Sequence, residues 1–155
     1  MEKDLVDVNF ANNNGLTPLH ILAKFVPKSS DTNLLRILLN RGALQNIPDS
    51  DGVIPLHYCA ATGKVAWCDK LLRDNPSDIN RPDKNRNTPL HYAARYTQNE
   101  VVSLLIEKGA NTMVKGKDGC TPLDLVYQAR EARNTQTNAV TLNYVDQNQQ
   151  PIILY

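Results

Sequence analysis

The residues of this chain best suited to covalent or metal chemistry are three histidines, His20, His57 and His91, and three cysteines, Cys59, Cys68 and Cys120. Histidine serves as a general base or metal ligand and cysteine as a nucleophile when a fold brings them together. Their placement argues against such use. All three histidines close the same four-residue phrase: Thr17-Pro18-Leu19-His20, Ile54-Pro55-Leu56-His57 and Thr88-Pro89-Leu90-His91. A fourth copy, Thr121-Pro122-Leu123-Asp124, ends in aspartate instead. The cysteines are odd in number and show neither metal-ligand nor disulfide-framework spacing, which fits a reducing compartment. Glu100, Glu107 and Glu131 are dispersed along the chain and form no evident carboxylate pair for acid–base work.

The four phrases begin at residues 17, 54, 88 and 121, intervals of 37, 34 and 33 that define a repeat architecture. Thr88 can N-cap a helix with its hydroxyl, and Pro89 then takes the first helical position, where its missing N–H costs nothing. After Leu90 and the small pair Ala93 and Ala94, a polar run from Tyr96 to Glu100 ends this helix. Val101, Val102, Leu104, Leu105 and Ile106 then form the apolar face of a second helix, stopped by Gly109. The stretch up to Cys120 is polar and glycine-rich, with Asp118-Gly119 as a turn signal, and predicts an extended, hairpin-like finger.

Finger, helix, turn and helix, opened each time by this phrase, resemble the ankyrin repeat over roughly residues 7–130. The resemblance implies an all-α solenoid over residues 1–133, with repeats near 12–46, 49–80, 83–115 and 116–133, followed by a tail over 134–155. It also implies that the threonine and histidine side chains hydrogen-bond locally and to neighbouring loops. On that reading no histidine remains for catalysis or metal, and the chain is not an enzyme and holds no cofactor. Cys59 and Cys68 align with the small or apolar positions Ala93 and Val102 and are expected in the core, with Cys120 accessible on a finger.

Departures from the pattern carry further expectations. Ile54 in place of threonine should forfeit a cap worth about 1 kcal/mol. Arg86 stands where the other fingers have Gly15, Gly52 and Gly119, so its finger must adopt a different turn or tolerate strain. Asp7-Val8-Asn9 matches the Asp78-Ile79-Asn80 phrase that ends a repeat inside the array. Exposure of Phe25, Leu35 or Ile37 is therefore expected at an uncapped first repeat, and the chain reads as a piece of a longer array or a protein whose end face a partner completes. At the other end Val140, Leu142 and Tyr144 alternate before a polar turn and Pro151-Ile152-Ile153-Leu154-Tyr155. This reads as a hairpin cap or as a disordered tail, and the unfinished fourth repeat favours the cap.

Function then rests on surfaces. The resemblance implies a protein-interaction module that binds another protein through finger tips and the exposed face of the first helices, or a regulatory or targeting part of a larger enzyme, channel or pathogen effector. At those positions Tyr58, Tyr92 and Tyr96 lie near Arg95, Lys84 and Arg86, side-chain types enriched in binding hot spots, with Asp51 and Lys117 on adjacent fingers. Arg81, Lys84, Arg86 and Arg95, opposed in sequence only by Asp83, make this region basic and suited to steering an acidic or aromatic-compatible partner segment. A net charge of +1 argues against nucleic acid as the partner. No apolar run is long enough for membrane insertion and no secretory leader opens the chain, so a soluble, monomeric protein of the cytoplasm or nucleus is expected.

Overall fold

The computed structural model describes residues 7–27 and 32–142. Their elements run α1 (Pro18–Phe25), α2 (Asn33–Asn40), α3 (Pro55–Thr62), α4 (Val65–Asp74), a 3-10 turn at Pro76–Asn80, α5 (Pro89–Arg95), α6 (Asn99–Glu107) and α7 (Pro122–Leu142). The first helices α1, α3, α5 and α7 stack side by side, and α4 packs against α6 behind them. Among the described residues there is no strand, and the molecule is an all-α solenoid.

Each first helix starts where its sequence predicts, with Pro18, Pro55, Pro89 or Pro122 as the first helical residue. The phrase leucines Leu19, Leu56 and Leu90 are buried with Ala23, Ala60 and Ala93, and the second helices add Leu35, Trp67, Leu71, Val101 and Leu105 to one continuous core. Cys59 and Cys68 lie in that core, fully buried.

The histidines join one repeat to the next. His20 Nδ1 accepts the Thr17 backbone N–H at 3.1 Å and its hydroxyl at 2.9 Å, while Nε2 donates to the Val53 carbonyl at 3.1 Å. His91 does the same with Thr88 and with the Cys120 carbonyl at 3.3 Å. His57 accepts the Ile54 N–H at 3.3 Å and donates to the Asn87 carbonyl at 3.2 Å. Both ring nitrogens are thus satisfied only in the neutral Nε2–H tautomer, and burial lowers the pKa of all three rings. The missing hydroxyl at Ile54 costs less than the sequence suggests. His57 still holds the Ile54 N–H, and the Ile54 side chain is fully buried, a gain of about 2 kcal/mol that offsets the lost cap bond.

Two further side chains close helix ends that sequence patterns leave open. Lys64 is buried, and its Nζ donates to the carbonyls of Leu22, at 2.9 Å, and Ala23 at the end of α1. Gln98, its counterpart one repeat on, donates to the Ala61 carbonyl at 3.1 Å. Orphan carbonyls of one helix are in this way satisfied by the next repeat.

The fingers keep one turn throughout. Gly15, Gly52 and Gly119 have φ of 75°, 79° and 80°, and Arg86 adopts the same left-handed turn at φ 62°. The third finger therefore tolerates strain rather than changing shape. Its stacking contacts require the shared turn: Lys84 N–H donates to the Asp51 carbonyl at 2.9 Å, and Lys117 N–H to the Asn85 carbonyl at 2.8 Å. Thr97, a β-branched residue at φ 56°, stands where α3 ends in Gly63 at φ 72°. Left-handed geometry costs a non-glycine residue about 1–2 kcal/mol, less the entropy glycine loses on folding. Arg86→Gly and Thr97→Gly should each stabilise the fold by about 0.5–1 kcal/mol, read as a rise in the urea unfolding midpoint.

The ends depart from expectation in part. Phe25 and Ile37 are exposed, but Leu35 is fully buried because it faces α1 and the rest of the core rather than the end of the array. Residues 7–10 form a turn, and Asn9 binds the second repeat boundary through Nδ2 to the Gly42 carbonyl at 3.0 Å and through Oδ1 from the Leu44 N–H at 2.8 Å. The fourth repeat continues as one helix, so residues 134–142, including Val140 and Leu142, are helical and not a strand. The remainder of the expected cap, residues 143–155, lies outside the described residues.

Candidate functional site: the concave face of repeats two to four

The site candidates converge on α3, α5 and the fingers before α3, α5 and α7. Each finger begins with a turn-forming side chain. Asp49 Oδ1 accepts the N–H groups of Asp51 and Val53 at 2.9 and 3.0 Å, and its Oδ2 accepts the Tyr58 hydroxyl at 2.7 Å. Asp83 repeats this, with Asn85 and Asn87 N–H at 2.8 and 2.7 Å and the Tyr92 hydroxyl at 2.8 Å. Both tyrosine rings are half-buried and stand edge-on to the preceding histidine, Tyr58 to His20 at 6.0 Å and Tyr92 to His57 at 5.0 Å. Burial and then the carboxylate bonds push both phenols above their ordinary pKa. The pairing is a unit: where the finger begins with Asn12 or Gly116, the corresponding helix residue is Ile21 or Leu125.

Beside Tyr92 the surface opens. Asp83, Asn85, Asn87, Tyr92, Arg95 and Tyr96 line a polar cavity of about 200 Å3, and Lys117 and Asp118 from the next finger join Asn85, Asn87 and Arg95 around an adjoining one of about 340 Å3. Tyr96 caps α5 and is largely exposed. Arg95 reaches Asp118 at 3.1 Å across the groove. The Cys120 N–H and then Arg95 hold the Asp118 carboxyl below its ordinary range. At Gly116 a Cβ would stand 2.6 Å from Asn87 Oδ1, so glycine there makes room for the Asn87 carboxamide, whose oxygen is buried with no partner among the described residues.

The basic region is less uniform than its sequence suggests. Asp83 is buried and occupied by the finger and Tyr92, so it is not the counter-charge. Arg81 lies 3.7 Å from Asp78, Arg95 is held by Asp118, and Lys84 Nζ donates to the Ser50 carbonyl at 2.6 Å. Arg86 is exposed and forms no ion pair among the described residues. Asp51 and Lys117 are exposed on their finger tips one repeat to either side. Sequence reasoning missed the roles of Asp49, Asp83 and Lys64. The aspartates lie five residues before the phrase in the two repeats that carry tyrosine, a signal available in the sequence, whereas nothing marks Lys64 as buried.

What this face offers is polar, shallow and stacked from repeats. Among the described residues no cluster of histidine, cysteine, aspartate or glutamate could hold a metal ion, and no helix is long and apolar enough to cross a membrane. Fold and face together define a helical repeat protein whose variable residues are presented on a rigid scaffold.

Comparison with known proteins places it within that class. Family profiles described as ankyrin repeats in three copies and in many copies match residues 2–83 and 71–126. The chain belongs to the ankyrin-repeat family, whose members are generally protein-interaction modules without catalytic activity. It is 34% identical over 94 residues to Inversin of Gallus gallus, covering 61% of this chain and 8% of that protein. It is 33% identical over 133 residues to the tyrosine-protein kinase Shark of Drosophila melanogaster, covering 86% and 13%. To the human transient receptor potential cation channel subfamily A member 1 it is 33% identical over 134 residues, covering 85% and 11%. The chain thus spans about a tenth of the length of these relatives.

Proposed function

We propose that this chain is a non-catalytic module that binds a partner protein across the concave face of repeats two to four. The observation that carries the reading is the groove between the third and fourth fingers, where Arg95, Tyr96 and Lys117 are exposed together beside the half-buried Tyr92. Aromatic and guanidinium groups at the centre of a patch supply most of the energy in many interfaces. Tyr58 and Tyr92 are committed to the fold by their hydroxyls and contribute flanking surface. Lys84, Arg86 and Lys117 on the finger tips favour an acidic partner segment, and Asp51 sets a negative edge to the same face.

A second reading is supported by the relatives: repeats of this kind occur within a tyrosine-protein kinase and a cation channel, so this array can serve a larger protein as its regulatory or targeting part. The two readings share one surface. The module acts as a monomer in the cytoplasm or nucleus, with protein and not nucleic acid as its partner.

The test uses a partner isolated with the wild-type chain. Substituting Arg95→Ala, Tyr96→Ala and Lys117→Ala together, which leaves the buried Tyr–Asp pairs intact, should weaken the complex by more than about 2 kcal/mol in titration calorimetry. Ser103→Ala with Glu107→Ala on exposed α6 should leave it unchanged. A loss of only a few tenths of a kcal/mol in the first variant removes the concave face from the interaction. Binding that falls steeply with salt and is competed by nucleic acid would instead favour a nucleic-acid partner.

A further inference from the structure

The contact between Arg95 and Asp118 joins the third and fourth repeats, yet the fold does not depend on it. Neighbouring fingers are already tied by backbone bonds, from Ser50 N–H to the Asn14 carbonyl at 3.0 Å, Lys84 N–H to Asp51 at 2.9 Å and Lys117 N–H to Asn85 at 2.8 Å. One repeat earlier the positions of Arg95 and Asp118 hold Ala61 and Asn85, which carry no charge, and the fingers stack in the same way. The pair is also wet, with side chains 49% and 46% exposed, so it adds little to stability.

Asp118 is moreover a poor match for the guanidinium. Its Oδ1 accepts the Cys120 N–H at 3.1 Å, and only Oδ2 is turned to Arg95, through one nitrogen at 3.1 Å. A carboxylate free of the finger turn could present both oxygens to the planar fork, the stronger arrangement. The charge balance leaves room for one. Asn85, Asn87, Arg95, Lys117 and Asp118 line the cavity of about 340 Å3, two cations against a single carboxylate. One further carboxylate closes that balance, whereas a phosphoryl group, with close to two negative charges at neutral pH, exceeds it.

We propose that Asp118 holds the place of a partner carboxylate: an aspartate or glutamate side chain of a bound peptide enters between Arg95 and Lys117 and takes the Arg95 guanidinium from Asp118. The inference rests on the concave face being the binding surface and adds what that surface recognises. Asp118 then acts against the partner twice, by competing for Arg95 and by repelling the incoming charge. Neutralising it should tighten binding, the opposite sign to the loss expected of an ordinary contact residue.

The test uses Asp118→Asn in the full chain. Asparagine keeps an oxygen for the Cys120 N–H, so the finger turn and the urea midpoint should be unchanged. The probe is a blocked tripeptide, acetyl-glycyl-glutamyl-glycinamide, titrated into isotope-labelled chain and followed by amide shifts. Saturable shifts around residues 85–87, Arg95 and Lys117 are expected, with a Kd of roughly 1–5 mM. Asp118→Asn should tighten this by about threefold or more, and Arg95→Gln should abolish it. The same peptide with glutamine in place of glutamate should leave these amides unmoved. Equal shifts from the glutamine peptide, no saturable shift, tighter binding of a phosphoserine peptide by the wild-type chain, or no gain in Asp118→Asn would each overturn the proposal. If the triple alanine variant nevertheless loses the isolated partner, the concave face remains the binding surface and only the carboxylate assignment falls. Retention of the partner by that variant would remove the reading beneath it.

Discussion

Replacing His57 with alanine should destabilise the array by about 4 kcal/mol. The substitution strands the buried Ile54 N–H, at about 1–3 kcal/mol, removes one of the two bonds to the Asn87 carbonyl, which keeps the Asp83 N–H at 2.9 Å, at about 1 kcal/mol, and adds the cavity left by the ring. Its location makes the effect larger than at His20 or His91. His57 joins repeats two and three, and the stability of a solenoid is close to a sum of repeat and interface terms. Urea unfolding should therefore show a lowered midpoint and, with the central interface weakened, a transition that separates into two. A cost below about 1 kcal/mol would contradict the bridging role.

Acid should weaken the fold well above the pH at which ordinary carboxylates protonate. Burial lowers the pKa of His57 to about 4, against 6.5 for the free side chain. Above pH 6.5 both folded and unfolded chains hold the neutral ring and nothing is lost. Between pH 6.5 and 4 the unfolded state takes up a proton that the folded state refuses, so stability falls as pH falls, by about 3 kcal/mol at pH 4 from this residue alone. His20 and His91 are lowered in the same direction and add to the loss. The structural reason is that Nδ1 of each ring already accepts a backbone N–H, and protonation would set two donors against each other. Urea midpoints measured from pH 7.5 to 4.5 should decline throughout, and a flat profile would contradict the neutral-ring assignment.

The repeat was legible in the sequence because local signals agree at every level: a proline at the first helical position, a cap before it, small residues where helices cross and glycine at the left-handed turn. The histidines followed from the same phrase. At Arg86 the sequence posed the question without answering it, since the choice between a new turn and a strained one depends on hydrogen bonds to the two adjacent fingers. Thr97 gave no signal, because the helix end that it closes is read equally well as a loop. The site was legible as a surface and less so as chemistry. Nothing in the sequence marks the hydroxyls of Tyr58 and Tyr92 as bonded, yet each is spent on an aspartate nine residues earlier, a separation outside the helical spacings that pattern reading detects. Arg95 likewise seemed an unopposed charge until Asp118, 23 residues on, was placed against it.

The same geometry separates what this array contributes from what its context adds. Histidines and buried aspartates set the spacing of the fingers, and the residues left exposed between the third and fourth fingers are then held in fixed register at little further entropic cost to a partner. Any protein that carries these repeats inherits that surface.

The central claim is that this surface is where a partner binds, and amide hydrogen exchange of the chain alone and in complex with its isolated partner tests it most directly. Slowed exchange concentrated in peptides covering residues 84–97 and 115–120, with α4 and α6 unchanged, is the predicted result. Protection confined to the outer helices α2, α4 and α6, with the third and fourth fingers exchanging as they do in the free chain, would contradict it.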